Sequence, residues 1–508
     1  MFSQLFARKS LETLLEEMKS ENRLKRVLGP VGLTSLGVGA IIGTGIFVLT
    51  GVAAADKAGP AMSLSMAAAG LTCIFAALCY AEFAAMVPVA GSAYTYAYAT
   101  LGELFAWIIG WDLVLEYAVG ASTVAHGWSH YFQDLLKFFN GGKALWPAAL
   151  ANAPFDYHEG VFVWTGSYID LPAILIAGII TVVLVIGIKE SANFNTAMVL
   201  VKLGVVFFVI AVGSFYVNPK NWFPFAPYGY GGLSFFGIPV WGHVHHGQVA
   251  GVLAGAATIF FAYIGFDSVS THSEEAKNPQ RDVPIGIICS LILCTVLYIL
   301  VAGILTGMVP YDKINRDAPV SDAFAQVGLP WAQFLIAVGA ITGITSVLLV
   351  MMLSQPRVLL AMARDGLVPS GFFGAIHDKF KTPWKSTILT GFFVALLAGL
   401  LPLSILAELV NIGTLLAFVI VCAAVLIMRK THPNAHRPFR VPFVPVVPIL
   451  GIITCLVLMF SLPWENWLRL VIWLIAGFAI YFLYGIRHSV LAHGRPSEEP
   501  LVAAGPLK

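Results

Sequence analysis

The sequence predicts an all-α polytopic membrane protein of twelve helical spans, with the first and sixth spans interrupted near mid-membrane. Three observations carry this. Of 508 residues, 58% are hydrophobic and 11% charged, against about 25% charged in ordinary soluble domains. The mean hydropathy is +0.84, and apolar runs of about 20 residues, the length that crosses a bilayer, recur along the chain. Two of these runs hold glycine at their centre, where lipid offers no partner to a loosened backbone.

Residues 1–30 mix Glu and Lys/Arg with leucines, as in Leu11-Glu12-Thr13-Leu14-Leu15-Glu16-Glu17-Met18. This pattern reads as a cytoplasmic amphipathic segment on the membrane surface. The first apolar run is too long for a signal-peptide core, so it is expected to stay as a span. Spans are expected at 31–52, 61–87, 103–132, 170–188, 194–216, 247–271, 284–309, 331–353, 384–401, 403–428, 444–463 and 467–486. Only Pro402 and its neighbours divide the ninth from the tenth. Most of the 29 Lys and Arg residues fall in loops on the side of the termini, which by the positive-inside rule makes both termini cytoplasmic. The loops at 133–169 and 217–246 then face outward.

The six cysteines all lie in apolar runs without a CxxC pair, and read as small buried hydrophobes. The net charge of +2 and the lack of a basic-aromatic patch argue against nucleic acid. His243, His245 and His246 end the second outer loop. A metal site needs further ligands, and none is evident in the sequence, so a solvated loop end is the expected reading and no metal is assigned. No cofactor is expected either.

The first break is Gly39-Ala40-Ile41-Ile42-Gly43-Thr44-Gly45-Ile46-Phe47. Its glycines admit two readings, close helix packing or a binding site. The second is Ala257-Thr258-Ile259-Phe260-Phe261-Ala262-Tyr263-Ile264-Gly265-Phe266-Asp267. If spans 1–5 (residues 31–216) and 6–10 (residues 247–428) are repeats, the odd count inverts the second copy. The breaks then occupy matching positions, which points to a transporter site at mid-membrane. Residues 444–486 add two spans, and 487–508 form a cytoplasmic tail. A half-helix starting near residues 44–46 offers free N–H groups to a carboxylate. One ending near residues 261–264 offers free carbonyls to an ammonium. The pair describes an α-amino acid. Asp267 reads as a cap of the following half-helix.

Charges inside spans are functional hypotheses. Lys202 lies about 12 Å into its span, at about 1.5 Å per residue. It either snorkels or, buried, exchanges protons. Asp112 and Glu116 share one face of the third span, as a proton path, a cation partner or a polar interhelical contact. Glu82 reaches toward the interface, and Glu408 with Asn411 reads as interhelical hydrogen bonding.

The first break resembles the substrate-carboxylate motif of the amino acid–polyamine–organocation superfamily. Pro88-Val89-Ala90-Gly91-Ser92-Ala93-Tyr94-Thr95-Tyr96 is similar to its hallmark after span two. Phe260-Phe261-Ala262-Tyr263-Ile264-Gly265-Phe266-Asp267 with Glu274-Glu275-Ala276-Lys277-Asn278-Pro279-Gln280-Arg281, and Arg437-Pro438-Phe439-Arg440-Val441-Pro442, resemble its cationic amino acid transporter branch, above all bacterial proton-coupled members. The resemblance implies a LeuT-type fold, a five-plus-five inverted repeat with two extra C-terminal spans. It implies that Ile41, Thr44 and Gly45 hold the substrate carboxylate and that carbonyls of Phe261 and Ile264 hold the amine. Phe261 matches an aromatic gate. Lys202 matches a lysine that replaces a sodium ion in proton-coupled relatives, with Asp112 and Glu116 as further proton-coupling candidates. The branch suggests arginine and lysine, but Ser346-Val347-Leu348-Leu349-Val350-Met351-Met352 is apolar. Met351 is expected to line the distal pocket and favour small neutral amino acids such as alanine. Asp112 and Glu116 would reverse this if they face the pocket.

The expected function is therefore secondary amino acid transport with H+ as co-substrate, in the plasma membrane and its lipid bilayer. An exchanger, or a cationic amino acid or polyamine carrier, is the alternative; a small membrane subunit is left open. A channel lacks a repeated filter loop, and an enzyme lacks a gathered catalytic constellation.

Overall fold

Helix occupies every stretch where a span is expected, and the bounds follow local chemistry. The computed structural model describes residues 2–9, 28–87, 92–141, 143–158, 161–186, 192–235, 238–273, 276–316, 318–380 and 382–491. The helices are α1 (Pro30–Ile41), α2 (Met62–Met86), α3 (Glu103–Phe139), α4 (Leu171–Ile186), α5 (Ala192–Gly213), α6 (Val252–Ile259), α7 (Pro279–Met308), α8 (Pro330–Arg364), α9 (Trp384–Leu400), α10 (Leu403–Thr431), α11 (Val446–Phe460) and α12 (Trp464–Ile480). Among the described residues, eight helical stretches are long and apolar enough to cross a membrane, while α1, α4, α9 and α11 are shorter apolar helices. The protein is a multi-pass membrane protein.

Proline sits at the first turn of α1, α7 and α8, where its missing N–H would be unpaired anyway. Pro402 is extended at the N-cap of α10 and divides it from α9, as its position in the sequence predicts. The eighth span runs to Arg364, beyond the expected end at 353, with Pro356 inside it. Membrane helices tolerate such a proline because neighbouring groups satisfy the freed carbonyl.

The loops add β structure that an all-α reading omits. Among the described residues, three antiparallel ribbons form: β1 (Phe155–His158) with β2 (Val161–Trp164), β3 (Leu233–Phe235) with β4 (Ile238–Trp241), and β5 (His243–His245) with β6 (Gln248–Ala250). These runs are too short to span a membrane, and pairing satisfies their backbone groups instead.

Three pairs of helices five positions apart pack together. α3 lies along α8, α2 along α7, and α4 along α9, while α1 packs on α7 and α5. α10 bridges α3 and α11. Near the ends of α2 and α10, Glu82 is buried. It accepts Arg429 Nε and Nη2 at 2.9 and 2.7 Å and the Val441 N–H at 2.7 Å, with Arg437 Nε 3.2 Å away. Glu82 thereby ties the Arg437-Pro438-Phe439-Arg440 segment to α2, because two arginines remote in sequence neutralise it.

Residues 10–27 of the amphipathic segment, Pro88 to Gly91 of the hallmark, Glu274 and Glu275, and residues 492–508 of the tail lie outside the described residues. Phe2–Leu5 is helical, and Lys9 pairs with Asp365 at 3.1 Å.

Candidate functional site

α1 ends at Ile41, Ile42 is extended (φ −73°, ψ 104°), and helix resumes at Gly45–Leu49. A helix end leaves its last four carbonyls, and a helix start its first N–H groups, without intrahelical partners. The carbonyls find defined partners. Val38 O accepts the Ile42 N–H at 3.0 Å, Gly39 O accepts Lys202 Nζ at 2.5 Å, and Ile41 O accepts the Tyr298 hydroxyl at 2.8 Å. Thr44 is buried and its Oγ1 has no hydrogen-bond partner among the described residues. An unpaired buried hydroxyl is costly, which marks this oxygen as an anomaly of the first break.

α6 tightens to a 3-10 turn at Phe260–Tyr263 and stops at an extended Ile264 (φ −61°, ψ 137°). Gly265 has φ +115°, a conformation that L side chains rarely adopt. A Cβ there would also come within 2.9 Å of Ala40 O. Chain resumes through a short helix, Ser268–Thr271, whose serines bond back to the carbonyls of Gly265 and Asp267. Asp267 stands at the N-cap position but makes no capping bond. Its Oδ2 accepts the Tyr117 hydroxyl at 2.9 Å, and its Oδ1 is unpartnered among the described residues. The expected cap role is thus replaced by a tie to α3.

The two breaks touch. A Cβ on Gly45 would stand 2.2 Å from Ala262 Cα, so only glycine permits this approach. The contact is close packing between the two breaks, the first of the two readings of that glycine. Tyr298 of α7 joins the breaks from behind, with its hydroxyl 2.8 Å from Ile41 O and 3.0 Å from Ala262 O. Asn411 of α10 donates to Ala257 O at 2.8 Å and Thr258 O at 3.2 Å, satisfying the end of α6. Phe261 O already accepts the Ile264 N–H at 3.1 Å, which leaves its second lone pair. Phe261 and Ile264 are both buried.

Lys202 is wholly buried. Its Nζ donates to Gly39 O (2.5 Å), Ser346 Oγ (2.7 Å) and Ile42 O (3.0 Å), with Gly343 O at 3.5 Å. Ser346 gives its own hydrogen to Gly343 O at 2.8 Å, which turns a lone pair toward the ammonium. An ammonium has three donors, and here they meet neutral oxygens from the first break and α8. It does not snorkel.

The acids lie apart from this centre. Glu116 is buried within electrostatic reach of Asp267, with one oxygen unpartnered. Asp112, one turn earlier, is buried with neither oxygen hydrogen-bonded among the described residues. Met351 is buried on α8, where a Cβ at Gly120 of α3 would meet its Sδ at 3.2 Å. Sequence reasoning missed Tyr298, because a tyrosine in an apolar run carries no sign of which distant carbonyl it meets.

A family model described as amino acid permease matches residues 28–484. The chain is 49% identical over 489 residues to the methylthioribose transporter of Bacillus subtilis (strain 168), covering 96% of this chain and 99% of that protein. It is 48% identical over 492 residues to the branched-chain amino acid permease BcaP of the same organism, covering 97% and 100%. Cationic amino acid transporter 4, vacuolar, of Arabidopsis thaliana is 39% identical over 434 residues, covering 85% and 68%. The family and these relatives are transporters, not enzymes.

Proposed function

Because this chain belongs to the amino acid permease family of the amino acid–polyamine–organocation superfamily, we propose that it is a proton-coupled amino acid symporter working by alternating access. The observation that carries the reading is the fully buried Lys202 ammonium set against the open end of α1 and against Ser346. Protonated, it holds the first break to α8. Neutral, it has fewer donors and no charge for those carbonyls, so the contact loosens. A proton taken up on one side and released on the other then times the movement of the half-helices.

The substrate reading rests on the facing breaks. N–H groups at residues 44–46, with Ile41, Thr44 and Gly45 forming the turn, receive the carboxylate; carbonyls of Phe261 and Ile264 receive the amine. The architecture proposed is the LeuT-type five-plus-five inverted repeat of residues 31–216 and 247–428 plus two spans at 444–486. The packing of α2 on α7, α3 on α8 and α4 on α9 supports it. Asp112 and Glu116 are proposed as a proton relay toward Asp267. The plasma membrane, with both termini cytoplasmic, is the proposed location.

Small neutral amino acids such as alanine are the proposed cargo, because Met351 is apolar and buried. Branched-chain amino acids are a second reading, favoured by the 48% identity to a branched-chain permease. One unit of pH gradient is worth about 1.4 kcal/mol per proton, or about tenfold accumulation at one proton per substrate. Labelled alanine should therefore accumulate in proteoliposomes when the interior is made alkaline, and Lys202→Ala should transport without responding to the gradient. Gradient-driven accumulation that survives in Lys202→Ala would remove Lys202 from coupling. Uptake that requires amino acid on the trans side would make the protein an exchanger.

A further inference from the structure

The outer hairpin β5–β6 turns through His246 and Gly247, both at positive φ (48° and 73°). Two such residues form the tight turn that suits a two-residue hairpin. Consecutive side chains of a strand point to opposite faces. The left-handed backbone of His246 breaks that alternation, and its ring lies beside that of His245, with centroids 4.0 Å apart. Strain of this kind in a residue other than glycine persists where the surroundings enforce it.

The surroundings are the segment Ala53–Ala58 that follows the first break. Tyr228 donates its hydroxyl to Ala55 O at 2.7 Å and stacks near His245 at 4.4 Å. Lys57 hydrogen-bonds Gln248, the cross-strand neighbour of His245, and Lys57 O accepts the Gly251 N–H at 2.8 Å. The hairpin is thereby held over Asp56. One ligating atom from each of Asp56, His245 and His246 lies within 4.8 Å of the others. We propose that Asp56, His245 and His246 form a binding site for a divalent transition-metal ion, with zinc as the fitting probe.

Two imidazoles and one carboxylate suit zinc, with water in the fourth position. Bonds of about 2.0–2.1 Å in a tetrahedron set ligand atoms about 3.3 Å apart, so modest side-chain rotation closes the site. Arg316 donates Nε and Nη2 to Asp56 at 2.9 and 2.6 Å. A carboxylate has about four lone-pair sites, so this fork leaves room for a metal and orients the ligand from outside. Lys57 and Arg316 oppose the ion by charge and weaken its binding relative to a site without them. The metal would staple the hairpin to the chain that leaves the first break.

The test is calorimetric titration of zinc chloride into the tag-free, detergent-solubilised full chain. One zinc per chain is expected, weakened by about tenfold or more in Asp56→Asn and in His245→Gln/His246→Gln, and kept in His243→Gln. Zinc should also raise the melting temperature of the wild type and not of the double variant. If the double variant does not fold, the exposed His246→Gln supplies the same comparison. No zinc binding by the wild type, or unchanged binding by the histidine variants, would overturn the assignment.

Discussion

At Lys202 three N–H donors meet three oxygens within 3.0 Å, and none of the three carries a charge. A buried charge without a counter-ion is tolerated only when dipoles surround it, and here the end of α1 supplies them. Met351 of α8 packs against Gly120 of α3, and the proposed selectivity for small neutral substrates rests on it. Met351→Ser should widen selection toward larger or cationic amino acids, read as new inhibition of alanine uptake by arginine. Inhibition by arginine that is equally absent in the variant would take Met351 out of substrate choice. Lysine in mid-span and glycine at the break were legible in the sequence, since each is an anomaly in its own run. The partners Gly39, Ile42 and Ser346 were not, because which oxygens an ammonium reaches depends on chain 163, 160 and 144 residues away.

The elements that matter are the two interrupted helices and α7 behind them. A single hydroxyl on Tyr298 stands against carbonyls from both breaks, so it couples their positions. Tyr298→Phe keeps the ring and removes the only donor it brings. Leaving a buried carbonyl unpaired costs about 1–3 kcal/mol, so the variant should melt at a lower temperature and transport more slowly, by thermal-shift assay and initial uptake rate. Unchanged melting and rate would show that water serves those carbonyls equally well. At this scale the sequence predicts each break from glycine. It misassigns Asp267 as a cap, because a local rule lost to a distant partner, Tyr117.

Across the whole molecule, α2 packs on α7, α3 on α8 and α4 on α9, and the breaks meet at Gly45 and Ala262. If both termini are cytoplasmic, a cysteine placed at Trp241 on β4 should react with a membrane-impermeant maleimide in intact cells, and one at Arg487 should not, in a background with the exposed Cys289 replaced. The reverse pattern would invert the topology. By itself the sequence determined the helical membrane class, the order of spans, the two breaks and the mid-span lysine. These follow from local rules: run length against bilayer thickness, and backbone groups that lipid cannot satisfy. Only the tertiary structure decided that Gly45 abuts Ala262, that Tyr298 spans both breaks, and that Asp56 joins two histidines nearly two hundred residues away. Such meetings depend on how packed helices cross in space, and no local pattern in the chain encodes that crossing.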